Sequence, residues 1–238
     1  MDSWITVNRL TNTEIIELLS TLAQYPPCES YSSHNFHDIW SCLDDICCWK
    51  MAEWDIEMCF TIANLWYKLN LGKLCDFIYV LVDRLTKKAD NLTKDQLVSV
   101  FFYFNVCRKR AVDFEYEYAL QKHMNSMSID EIAVISMGYF KTRTKIKLLP
   151  IMETIVQKVK ENSKTIHEIS LTAILKIIRY SKPTKIIIEV RNMLDVLGDE
   201  IHRLSSLCCL HIALIGTGLQ FPHIKTLQEV SRETAQRY

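Results

Sequence analysis

Apolar residues along this chain recur mostly with the period of an α-helix, and the helices they outline come in pairs. Ile15, Ile16, Leu18, Leu19 and Leu22 outline a helix within residues 1–25, with Thr11 or Asn12 placed to cap it ahead of Glu14. Pro26 and Pro27 end that pattern, and Cys28 to Asn35 reads as a polar loop. Phe36 to Trp54 is rich in aromatic residues and cysteine, with Ile39, Trp40, Leu43, Ile46 and Cys47 at helical spacing. From Trp54 onward the pattern becomes regular. It predicts first helices near 55–70, 93–106, 128–141, 167–180 and 204–217, and second helices near 73–88, 112–124, 146–161, 184–197 and 222–236. Gly72, Pro183, Gly198, Gly218 and Pro222 fall near the turns, while Pro150 is expected inside the first turn of its helix. Nothing alternates with period two for long enough to make a strand.

One phrase repeats at a spacing of roughly 35–40 residues, with its clearest copies beginning at Leu92, Met127 and Ile166. Each copy runs from a short polar stretch into an apolar helix, and ends in an aromatic residue and a knot of positive charge. In two copies the endings Thr144-Lys145-Ile146 and Thr184-Lys185-Ile186 fall in register. A helix pair of this length cannot bury its apolar face alone, so copies must stack. The expected fold is therefore all-α, a right-handed-type α-solenoid of stacked helix hairpins. We expect an N-terminal helical segment over 1–54, with its loop at 26–35, and a repeat region over 55–238.

Composition agrees. Five glycines and five prolines in 238 residues are too few for the turns of a β-sandwich. Hydrophobic residues make up 49% and charged residues 24%, ordinary values for a folded chain. The nine cysteines are odd in number and form no Cys-x-x-Cys pair, so a reducing compartment is expected and no disulfide framework. No apolar run reaches the ~18–20 residues that span a bilayer.

Net charge is zero, which leaves only the placement of charge to argue from. Arg108, Lys109 and Arg110, then Lys141, Arg143 and Lys145, then Arg179, Lys182 and Lys185, occupy the turn that joins first helix to second in successive repeats. No acid occurs from Ile132 to Met152 or from Ile169 to Ile188. Equal phase in a solenoid means a shared edge, and a repeated positive edge suits a polyanion whose phosphates also repeat. The plainer account is that cations near helix C-termini answer the helix dipole. Tyr139 and Tyr180, beside these turns, are placed to stack on unpaired bases. Phe101 and Phe104 read as core, with Tyr103 open.

Other chemistry is thin. The chain has no P-loop, nucleophile elbow, His-Glu-x-x-His helix or kinase elements, so neither kinase nor nuclease activity is expected, nor a cofactor. His34, His37, Cys42, Cys47 and Cys48 could suggest zinc, but their spacing matches no structural zinc pattern and no metal site is assigned. Asp44-Asp45 and Glu115-Tyr116-Glu117 read as surface charge, because neighbours so close in sequence diverge on a helix.

Residues 128–221 resemble the FAST kinase domain-containing family. The resemblance rests on Ile132-Ala133-Val134-Ile135-Ser136-Met137-Gly138-Tyr139-Phe140-Lys141-Thr142, on Ser170 to Tyr180 and on Leu204 to Leu219. It implies RNA work in the mitochondrial matrix: processing, stability or maturation of transcripts by an RNA-binding helical repeat. Its implied partners are single-stranded mitochondrial RNA and other RNA-granule proteins, with no membrane. The family's RAP domain is not matched here, and Met1-Asp2-Ser3-Trp4-Ile5 is not an Arg-rich presequence, so the resemblance leads us to expect a piece of a longer protein. A HEAT- or armadillo-like protein scaffold is the alternative, suited by neutral charge and by four of five tryptophans lying before residue 55.

Overall fold

From Trp54 onward each hairpin begins with the same short device. A buried apolar residue precedes a polar capping residue, whose side chain takes up a free amide of the first helical turn. Trp54 precedes Asp55, Met127 precedes Ser128, Ile166 precedes His167 and Leu204 precedes Ser205; all four apolar residues are at most 5% exposed. Leu92 and Thr93 follow the same rule, with Thr93 and Gln96 exchanging hydrogen bonds of 3.3 and 3.0 Å. Ser128 and Glu131 form a reciprocal capping box, as do Thr11 and Glu14. The copies of the phrase at Leu92, Met127 and Ile166 thus begin at the residue that anchors each hairpin.

The computed structural model describes residues 9–24, 34–72, 74–108, 111–219 and 221–237, with side chains from residue 39 in the second of these segments. Among the described residues every regular element is helical: α1 (Asn12–Leu22), α2 (His34–Lys50), α3 (Ile56–Lys68), α4 (Phe77–Thr86), α5 (Lys94–Cys107), α6 (Phe114–His123), α7 (Ile129–Lys141), α8 (Leu149–Glu161), α9 (Glu168–Ser181), α10 (Ile187–Asp199), α11 (Ser206–Gly218) and α12 (Ile224–Arg237). These bounds fall close to the predicted ones, and Pro150 lies in the first turn of α8. Most of the loop at 26–35 lies outside the described residues, apart from His34 and Asn35, which belong to α2. No helix among the described residues is long and apolar enough to cross a membrane.

Two units divide the chain: Met1–Lys88 with Val106–Arg110, and Ala89–Asn105 with Ala111–Tyr238. In the first, α1 packs on α3 and α2 on α4. In the second, α7 packs on α9 and α9 on α11, while α6, α8, α10 and α12 follow one another in a second layer. Within each unit, helices thus pack against the helix two places along, the arrangement expected of stacked hairpins.

Hydrogen bonds reach one repeat along the chain as well. The Glu117 carboxylate accepts from the amides of Lys147 and Leu148 at 2.9–3.2 Å, and so closes the start of α8, which has no side-chain cap of its own. Asp44 does the same in the first unit, accepting from Asp76 at 2.6 Å and Phe77 at 2.9 Å ahead of α4. In the opposite sense Thr144 accepts from the Val112 amide at 3.0 Å, and Ser181 from the Ile146 amide at 3.3 Å. Glu117 and Asp44 are thus not the surface charges expected from sequence: a remote helix N-terminus needs an acceptor, and each carboxylate supplies it.

Candidate nucleic-acid interface

The turns that end the first helices share an unusual backbone. Asn70, Arg108, Arg143 and Lys182 have φ of 60°, 54°, 57° and 48°, each fifteen residues after its capping residue Asp55, Thr93, Ser128 or His167. At Arg143 this left-handed residue belongs to a Schellman-type ending, with Thr144 N–H donating to Tyr139 O at 3.0 Å and Arg143 N–H to Phe140 O at 3.2 Å. Glycine or asparagine suits such a position, because a Cβ there crowds the backbone at a cost of ~1–2 kcal/mol. Three of these four positions carry arginine or lysine instead.

Replacing Arg143 or Lys182 with glycine is therefore expected to raise stability. Relief of the left-handed strain exceeds the added flexibility of the unfolded chain, leaving a gain of about 0.5–1 kcal/mol per site. Urea denaturation checks it, and a loss of stability would mean that the side chains themselves pack.

Around the turns of the second unit, Arg143, Lys145, Arg179, Lys182 and Lys185 are exposed. None of these five makes an ion pair with a described residue, whereas Lys94 is paired with Glu131, Lys122 with Asp90 and Lys225 with Asp195. Lys141 is half-buried at the last residue of α7. Arg108 is exposed in the first unit, and Lys109 and Arg110 lie outside the described residues. Positive potential reaches inward from this edge: His211, buried on α11, is held below the usual histidine range by burial and then by the charges of Arg179 and Lys176. Lys176 also lies 6.0 Å over the Phe140 ring.

Lys145, Arg179 and Lys182 come together at one place. They border a half-open cavity of about 670 Å³ between the end of α9, the start of α10 and the end of α11, walled by residues such as Ile178, Ile187 and Leu214. No acidic residue lines it. A cleft with apolar walls and a cationic rim can hold an anion that carries a ring or chain, and the low dielectric of those walls strengthens the field of the rim.

The two tyrosines part company. Tyr139 is fully buried, its ring 5.0 Å from that of Phe101, and burial with the neighbouring Glu117 charge drives its hydroxyl pKa well up. It has no face for a base, so its assignment as a stacking residue is corrected: it lies on the side of α7 that meets α5. Tyr103 is buried too, alongside Phe101 and Phe104. Tyr180 remains half-exposed at the cavity, but its hydroxyl donates to the Arg143 carbonyl at 2.9 Å and its ring stands edge-on to Phe140.

Among the described residues no three His, Cys, Asp or Glu side chains group as metal ligands, and the side chains of His34 and His37 lie outside them. Burial pushes the Cys47 thiol up to about 12 and Cys59 to about 11, so neither supplies a thiolate at neutral pH. Gly218, which also borders the cavity, was legible in sequence only as turn punctuation. The signal that distinguishes it is its place in the repeat: it stands thirteen residues after Ser205, as Tyr180 does after His167. No family model matches the chain, and no curated protein matches it.

Proposed function

We propose that this protein binds single-stranded RNA along the turn edge of its helix hairpins, which continue as a right-handed-type α-solenoid, and that it performs no chemistry of its own. One observation carries the reading: five unpaired cations at equivalent turns of successive hairpins, two of them in left-handed backbone that glycine would occupy at lower cost. Strain kept for a charged side chain points to a use for that charge. Repeated phosphates are the anion that matches cations repeated from hairpin to hairpin. The resemblance of residues 128–221 to the FAST kinase domain-containing family supports the same reading and suggests the mitochondrial matrix, with processing, stability or maturation of transcripts as the task.

Electrophoretic shift with a short oligouridylate at several salt concentrations tests this. Log affinity should fall with log salt by about 0.7 per phosphate contacted. Reversing Lys145, Arg179 and Lys182 together to glutamate should weaken binding about a hundredfold and flatten the slope. Affinity that ignores salt, or survives the reversal, would remove the proposal. Glycine at Arg143 and Lys182 should weaken binding as well while raising stability, which separates the role of the charge from that of the fold.

A second reading, a HEAT- or armadillo-like scaffold for proteins, is favoured by Leu207, Leu210 and Leu214. They lie along α11 and are 50%, 52% and 38% exposed.

A further inference from the structure

Where α7 and α9 meet, Tyr180 fills the space over the preceding turn. Its hydroxyl donates to the carbonyl of the left-handed residue Arg143, and its ring stands against Phe140. Where α9 and α11 meet, the equivalent residue is Gly218, the equivalent of Arg143 is Lys182, and the equivalent of Phe140 is Arg179. A Cβ built on Gly218 would find nothing within 4 Å. The cavity of about 670 Å³ lies there. It is the place of an absent aromatic side chain, with a guanidinium where the earlier junction has a phenyl ring.

We propose that this cavity receives one unstacked nucleobase of the bound strand, an inference that rests on the RNA-binding reading above. A flat ring with a donor at its edge is what Tyr180 contributes one repeat earlier. A base supplies the same: an N–H directed at the Lys182 carbonyl, which accepts no hydrogen bond from a described residue, and a π-face for the Arg179 guanidinium. The base sits against Ile178 and Leu214 at the wall, and its own phosphate meets Lys145 and Lys182 at the rim. Because the walls beyond these contacts are mostly apolar, the pocket takes bases with little discrimination among them. It acts as an anchor that fixes the strand on the edge.

Gly218→Tyr puts a ring back over the Lys182 turn and should occlude the part of the cavity beside it, with Gly218→Ala as the control that leaves it open. Fluorescence anisotropy would compare a short oligouridylate with an abasic ribose-phosphate strand of equal length, and thermal melting would confirm that both variants fold. The expected result is that Gly218→Tyr binds the oligouridylate roughly tenfold or more weakly than wild type. Gly218→Ala should match wild type, the abasic strand should bind all three proteins equally, and the salt slope should be common to them. Undiminished binding of the oligouridylate by Gly218→Tyr would overturn the base pocket and leave the RNA reading standing. So would an equal loss in Gly218→Ala, or displacement of the strand by laurate but by no mononucleotide. Absence of salt-dependent binding by wild type would sink both proposals.

Discussion

Replacing Glu117 with alanine is expected to cost about 3 kcal/mol of stability. Two terms add. The amides of Lys147 and Leu148 lose their acceptor at the start of α8, at about 1 kcal/mol or more each, and a buried side chain leaves a void behind it. Glutamine keeps an acceptor oxygen and most of the volume, so Glu117→Gln should cost much less. The two variants also differ from wild type in how stability follows pH. Burial raises the Glu117 pKa above its usual value of 4.5, and this outweighs the opposing amide bonds and the nearby Lys147. A carboxyl whose folded pKa is raised contributes stability that is complete below about pH 4.5 and is lost as pH climbs through the folded value. Glu117→Gln should therefore lie furthest below wild type in acid and approach it near neutrality. Urea denaturation between pH 4 and pH 8 measures both effects. A gap that widens with rising pH would show that attraction between the carboxylate and the helix start dominates instead.

Gly138→Ala is the second large loss, of about 2–3 kcal/mol. Gly138 lies on the face of α7 that meets α5, and a Cβ there would stand 2.7 Å from the Phe101 carbonyl oxygen and 3.0 Å from the Phe101 ring. The oxygen is backbone, so the clash cannot be relieved by turning a side chain, and the two helices must separate. Separation would loosen the stack of Phe101 against Tyr139 and Tyr116. Thermal melting and near-ultraviolet circular dichroism should register both. Melting unchanged within a degree or two would mean that α5 slides at no cost.

Helices were legible because each carries its own signals. Caps such as Thr11 with Glu14, the apolar period and Pro150 are all local, and the structure follows them to within a few residues. The phase of the basic turns was legible for the same reason, since the count from capping residue to turn is fixed by helix length. The left-handed backbone at Arg143 and Lys182 was not, because nothing in those side chains announces it. The roles of Glu117 and Asp44 were hidden because the amides they serve lie about thirty residues further on. Tyr139 escapes the sequence reading because a step of one residue, about 100° around the helix, separates an edge position from one that faces a neighbouring helix. The cavity could not be seen in any single stretch: it exists through the difference between Tyr180 and Gly218 at one phase of the repeat.

The bonds that lace neighbouring hairpins run both ways: Glu117 serves the amides of the hairpin after its own, and Ser181 an amide of the hairpin before. A single hairpin lifted out of the second unit would leave bare amides at its boundaries. Such a piece is no self-sufficient module to be shuffled, and the smallest portable fragment must carry its neighbours with it. Growth or loss of repeats during descent would have to cut where the lacing is thinnest, and ancestral lengths would shift by blocks of hairpins.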